Sequence, residues 1–440
     1  MALRCCDNNP MCVYVKVTNS FEILTTLKFS NRSKEVMRRG ITGDFITTNT
    51  SKFATAPAKV IILTYMRSGS TLLGEVFNSD PHAFYWYEPV RAVYGGLYEK
   101  VVREPQSLVD QLEISNRYMS RFEKDKLMTF INDLYGCDTA KWPDEFLAWY
   151  DLLEMNTLLL KAARCAHRTR AEGYGSFRCI VDTVKGIESN TVPDIMQAYW
   201  LLRMKGAHTQ SMNYTTKEEL LLRASLGSDS AVANSTIEKL KDIMKCYKKI
   251  GTKLRPCLES VGVKQACEKT KIRAIKTIRM QMDFVGEFFD LDPDVKVVHL
   301  LRDPRGVANS RSKLGLLRPK GSVELDAKVL CNKILRDLAV KKELMREFPG
   351  RIFTIRYEDF VADTDNAINA LYNFLGTTRT KEAYEAFIIR TTAKSLDPYS
   401  PSRESPKAVA EAWRKQLTGA DRRSVDAQCS KVYDFLGYRI

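Results

Sequence analysis

The sequence predicts an α/β fold, a parallel β-sheet flanked by helices with a P-loop-like turn after its first strand. Three observations carry this. Val60-Ile61-Ile62-Leu63 is an unbroken apolar run, as expected of a strand buried on both faces, and the stretches 272–278 and 295–301 read as further strands. Segments with apolar residues at helical spacing separate the later runs, as in βαβ units. The first run passes at once into Arg67-Ser68-Gly69-Ser70-Thr71, and Leu72, Leu73, Val76 and Phe77 then recur at helical spacing. Strand, small-residue loop and helix together aim backbone N–H groups and a helix N-terminus at an anion.

That loop is not a Walker A loop. With Thr71 as its final residue, Ser70 stands where the lysine belongs and Thr64 where the first glycine belongs. Arg67 is the one cation of the loop, so the stretch suits a nucleotide phosphate without hydrolysis of a nucleoside triphosphate. Read alone, it is also compatible with an ordinary strand–turn–helix corner.

The chain has 440 residues, 44% hydrophobic and 28% charged, as expected of a globular protein. Its net charge of +15 favours polyanionic partners, whether nucleic acid, anionic lipid or acidic glycan, or marks a solvated basic surface. No zinc-finger, RNP or helix-turn-helix signature accompanies the charge, which argues against nucleic acid. Four histidines and no Cys/His spacing argue against a zinc site. Eleven cysteines leave at least one without an intrachain partner, and Cys246, Cys257 and Cys267 are candidate disulfide partners in an oxidising compartment. Asn-X-Ser/Thr sequons at Asn31, Asn49, Asn213 and Asn234 matter only in a lumenal or secreted protein. No run approaches the ~18–20 apolar residues of a membrane span.

Residues 1–55 show no sustained period and read as a stem or linker with little fixed structure; 56–440 read as the catalytic domain. His82 to Tyr87 form a second, aromatic strand, and Pro89 holds Glu88 extended at its end. Residues 105–270 are a mainly helical insertion, in which the basic run 239–255 is by default a solvated helix face and alternatively the rim of an anionic substrate site. Helices are expected over 280–289, 324–348, 363–375 and 421–436, with a strand at Ile352-Phe353-Thr354-Ile355.

The strand ending at Leu301 runs into Arg302-Asp303-Pro304-Arg305-Gly306-Val307-Ala308-Asn309-Ser310-Arg311. Asp303 fits an N-cap and Pro304 the first helical position. Ser310 lies about two turns on, where it can share an anion with Arg302 if the helix folds back beside the strand end. The same residues are equally a helix cap with Arg302 paired to a carboxylate. Arg356-Tyr357-Glu358-Asp359 reads as a structural ion-pair cluster.

RSGSTLL, then YEP, then LLRDPRGVANSR and RYEDF, with Trp413-Arg414 and Leu436-Gly437-Tyr438 near the end, resemble the Golgi carbohydrate sulfotransferases. The nearest branch transfers to the 6-O of galactose, N-acetylglucosamine or N-acetylgalactosamine, as in keratan and chondroitin sulfate. The resemblance covers about 58–100 and 270–440. It implies the sulfotransferase variant of the P-loop-like fold, with 3′-phosphoadenosine 5′-phosphosulfate as co-substrate and no metal. Arg67, Ser68, Gly69, Ser70, Thr71 and Leu72 would hold its 5′-phosphosulfate, and Arg302 and Ser310 its 3′-phosphate. It also implies a glycan or glycosaminoglycan acceptor, no nucleic acid, and residence in the Golgi lumen behind a membrane anchor that this chain does not display. Acceptor choice is expected in 105–270, where the resemblance fades.

Sulfuryl transfer needs in-line positioning, charge stabilisation and removal of one proton. Arg67 is expected to offset charge and Glu88 to be the general base. A P-loop kinase is disfavoured by the missing lysine and the lack of a Mg²⁺-binding set. A catalytically silent sulfotransferase-fold glycan-binding protein is the alternative.

Overall fold

The computed structural model describes residues 56–90, 121–147, 156–166, 231–317, 321–392 and 405–439. The stem expected over 1–55 and the sequons at Asn31, Asn49 and Asn213 lie outside the described residues. Residues 56–440 form one compact unit.

Five parallel strands make the sheet: β1 (Ala58–Leu63), β2 (Ala83–Tyr87), β3 (Ile272–Thr277), β4 (Val295–Leu301) and β5 (Ile352–Arg356), in the order β2-β3-β1-β4-β5. Both faces of the sheet are covered. Ile61, Leu63, Trp86, Ile275 and Val297 enter one core, while Val60, Ile62, Tyr85, Ala274 and Val298 enter another. Burial of each such side chain contributes about 1.5–3 kcal/mol. β1 lies between β3 and β4, with its C-terminal end at a change of strand order, where ligands bind in open α/β sheets.

Helix α1 (Ser70–Asn78) follows the loop and packs on β2. The described parts of the insertion are helical: α2 (Arg121–Tyr135), α3 (Asp144–Leu147), α4 (Thr157–Ala166), α5 (Ala231–Ser260) and α6 (Val263–Glu268). α5 buries Ile250, Leu254 and Leu258 and exposes Lys248, Lys249 and Lys253, the solvated face that is the default reading of the basic run. α7 (Met282–Leu291) lies between β3 and β4 in the chain; α8 (Pro304–Lys313) and α9 (Val323–Glu347) lead to β5. α10 (Tyr357–Ala362), α11 (Thr364–Leu375), α12 (Lys381–Thr392), α13 (Pro406–Glu411), α14 (Trp413–Gln416) and α15 (Gly419–Leu436) complete the described elements. α9 and α15 pack together and carry the disulfide Cys331–Cys429.

Cys246, Cys257 and Cys267 do not pair with one another: Cys257 joins Cys165, Cys267 joins Cys137, and Cys246 is also disulfide-bonded. Sequence proximity misleads here because Cys246 and Cys257 stand about three turns apart on α5 and Cys267 lies on the separate helix α6.

Candidate active site

The site is built where β1 and β4 end. Tyr65-Met66-Arg67-Ser68 make a tight turn closed by Ser68 N–H donating to Tyr65 O at 3.1 Å. Arg67 has φ 71°, a left-handed conformation normally left to glycine. Such strain costs on the order of 1–3 kcal/mol and gathers at functional sites. Gly69 follows at φ 88° as N-cap of α1, and no side chain caps that helix start. A Cβ on Gly69 would lie 2.2 Å from the Tyr357 ring, so glycine is demanded by both space and conformation.

Asp303 caps α8 by accepting from Arg305 N–H at 2.9 Å, with Pro304 at the first helical position, as the sequence predicts. Arg305 fixes this corner to the C-terminal helices. Its guanidinium pairs with Asp303 at 2.8 Å, donates to Arg439 O at 2.9 Å, and lies 4.2 Å from the Trp413 ring and 4.7 Å from that of Tyr433.

So fixed, the second motif meets the first. Arg67 Nε donates to Ser310 Oγ at 2.9 Å, and Arg302 Nη1 donates to Arg67 O at 3.1 Å. Arg302 also donates to Val409 O at 3.0 Å and lies 4.5 Å from the Tyr357 ring. Arg67, Ser310 and Arg302 therefore share one cluster. Two of its buried polar atoms, Ser68 Oγ and Arg302 Nε, have no protein partner. Partnerless buried donors beside an uncapped helix start fit a bound phosphate group. Ser70 and Leu72 are buried in the first turn of α1 and Thr71 is half-buried. The structure thus brings Arg67 through Leu72 together with Arg302 and Ser310.

Glu88 stands apart, at the end of the edge strand β2. It is buried and has φ 45°, not the extended backbone expected before Pro89, and it pairs with Lys276 of β3 and with Arg279. Lys276 is only 2% exposed and lies 4.3 Å from the Tyr87 ring. A charge buried so deeply needs its partner. In the RYED stretch, Arg356 pairs with Asp359 at 2.6 Å. Glu358 accepts from Asp303 N–H at 3.0 Å and Tyr438 O–H at 2.8 Å, and burial pushes its carboxyl up. Among the described residues no group of His, Cys, Asp or Glu is placed to hold a metal ion, and no helix is long and apolar enough to cross a membrane.

Sequence reasoning missed the groups that hold the turn from below. Tyr65 O–H donates to Asp337 at 2.7 Å, and Asp337 accepts Met282 N–H at 2.9 Å. With its proton so used, the Tyr65 oxygen accepts from His299 Nε2–H at 3.1 Å, which leaves His299 neutral with a bare Nδ1. Burial, with Lys341 nearby, lowers the His299 pKa from 6.5 to about 3. The unfolded chain therefore binds the extra proton between those values, and stability falls as pH drops below 6.5. Between pH 7.5 and 5 this costs about 2 kcal/mol. Urea denaturation at the two pH values should show that much less acid-induced loss in His299→Gln than in the unsubstituted protein; an equal loss in both would clear His299. Asp337, whose pKa is raised by burial, opposes the trend equally in both proteins.

A sulfotransferase-family model matches residues 191–381, a span that contains Arg302 and Ser310 and stops short of the β1 loop. Carbohydrate sulfotransferase 2 of Homo sapiens is 24% identical over 430 residues, covering 86% of this chain and 64% of that protein. Carbohydrate sulfotransferase 1 of Danio rerio is 23% identical, covering 86% of this chain and 77% of that protein. This chain thus spans under two thirds of the length of carbohydrate sulfotransferase 2. Among solved structures, the sulfotransferase domain from the curacin biosynthetic pathway is 14% identical, with a TM-score of 0.42 over 87% of this chain and 99% of that one. The resemblance read from the motifs is borne out: the chain is similar to the carbohydrate sulfotransferases over most of its length.

Proposed function

We propose that this protein transfers a sulfuryl group from 3′-phosphoadenosine 5′-phosphosulfate to a sugar hydroxyl, the 6-O of N-acetylglucosamine, galactose or N-acetylgalactosamine in a glycan. The observation that carries the reading is the meeting of the two anion motifs, with Arg67 on Ser310, Arg302 on Arg67 O, and partnerless donors at Ser68 Oγ and Arg302 Nε. In this reading the turn and the α1 N-terminus hold the 5′-phosphosulfate, and Arg302 and Ser310 hold the 3′-phosphate. The acceptor oxygen bonds to sulfur as the bridging S–O bond breaks, the leaving phosphate keeps the electron pair, and Arg67 offsets the charge. Glu88 takes the hydroxyl proton. A carboxylate suffices, because the hydroxyl becomes acidic only as the new S–O bond forms.

The paired cysteines Cys137–Cys267, Cys165–Cys257 and Cys331–Cys429 support an oxidising compartment, in keeping with a Golgi-lumenal enzyme acting on glycan or glycosaminoglycan chains such as keratan or chondroitin sulfate. One observation favours the silent glycan-binding alternative: Glu88 is already engaged by two cations.

Incubating the protein with ³⁵S-labelled donor and a panel of desulfated glycans decides between them. Label at a 6-O position is the expected result. Donor-nucleotide binding with no label on any acceptor would establish the silent protein, and label at another position would remove the 6-O assignment.

A further inference from the structure

Arg311 directly follows Ser310 and by position belongs to the motif assigned to the 3′-phosphate. Its side chain does something else. Nε and Nη2 donate to Met66 O at 3.3 and 3.1 Å, and Nη1 donates to both oxygens of Asp326 at 3.1 Å each. Arg311 is 8% exposed and Asp326, in the first turn of α9, 1%. The pair is thus a buried charged link from α9 through α8 to one carbonyl of the β1 turn.

That carbonyl decides which turn forms. In a four-residue turn from Tyr65 to Ser68, the Met66–Arg67 peptide is the middle one. Type I and type II turns differ by a flip of this peptide, and only type II puts the third residue at positive φ. Arg67 at φ 71° with Met66 outside the positive region is the type II arrangement, at a position that favours glycine. A non-glycine residue there is strained, and a grip on the middle carbonyl opposes the flip to type I. Arg311 grips it. Because the N–H of a trans peptide points opposite its C=O, the same grip also sets the direction of Arg67 N–H.

We propose that Arg311 and Asp326 are positioning residues that hold the Met66–Arg67 peptide in its flipped orientation and so aim Arg67 at the 5′-phosphosulfate, although Arg311 lies in the other phosphate motif; this rests on the donor-site reading above. The effect is selective. Loss of the clamp disturbs the 5′ subsite and leaves Arg302 and Ser310 free to take a 3′-phosphate.

Calorimetric titration of the full chain with adenosine 5′-phosphate and adenosine 3′-phosphate tests this without any turnover. Arg311→Gln should weaken the 5′-phosphate tenfold or more and the 3′-phosphate less than twofold. Asp326→Asn, which keeps the shape and leaves Arg311 in place, should give the same selectivity with a smaller loss and serves if Arg311→Gln does not fold. Arg302→Ala, the contrasting variant, should weaken the 3′-phosphate more. Equal weakening of both ligands by Arg311→Gln and Asp326→Asn would mean general structural support, and no weakening of either would mean no role; each overturns the clamp alone. An unsubstituted protein that binds neither ligand would overturn the donor-site reading and the clamp with it.

Discussion

Glu88→Gln is expected to lower kcat by about 10²–10⁴-fold, the loss typical of a removed acid–base group, with donor-nucleotide affinity nearly intact. The substitution keeps the shape of the side chain and removes its basicity. Position makes Glu88 the candidate: it closes the edge strand two places from β1 and is held at φ 45° in the left-handed region. An ionised carboxylate has about four acceptor sites. Lys276 donates to one of its oxygens and Arg279 to the other. Steady-state kinetics with both substrates varied, beside nucleotide titration, gives the answer. Lost nucleotide affinity with unchanged turnover at saturation would make Glu88 a structural partner of Lys276 and Arg279.

The second large effect concerns the bridge between Cys137, just past α2, and Cys267 in α6. It closes a loop of sequence separation 130, and both residues are fully buried. Cross-links across long loops mainly restrict the unfolded chain, and removing one costs about 2–5 kcal/mol. Cys137→Ala/Cys267→Ala should therefore unfold at clearly lower urea concentration than the parent under non-reducing conditions. Matching midpoints would show that the surrounding core, including Leu134, Trp142 and Val263, fastens the insertion without the bridge.

The sheet and both anion motifs were legible because their physics is local. A strand buried on both faces needs an unbroken apolar run, and a loop that holds a phosphate needs small residues next to a helix start. The rest depends on partners far apart in the chain. Tyr65 meets Asp337 across a separation of 272 residues, and Glu88 meets Lys276 across 188. β3 carries two cations, Arg273 and Lys276, and nothing in the sequence singles out Lys276 as the partner. Arg311 stood inside a quoted motif, yet nothing in its spacing says that it turns from the 3′ side to Met66. The length of α5 was obscured by its basic run and by Pro256, which lies inside it. The three cysteines near 246–267 were read as neighbours because a linear sequence cannot show which way a helix faces.

The strand order has a consequence for how such a molecule can change over generations. The cluster of Arg67, Ser310 and Arg302 draws on the ends of β1 and β4 and on α8, whereas Glu88 sits on the outermost strand. The chain from 88 to 271 joins two neighbouring strands, β2 and β3, that are paired with each other. The described helices of that stretch cover one face of the sheet, where Leu127, Ile131 and Leu134 share a core with Ile61 and Ile275, so it can be rewritten only where that packing is kept. In the proposed reading, the β1–β4 cluster and Glu88 therefore lie on different stretches of the chain and can change at different rates over generations.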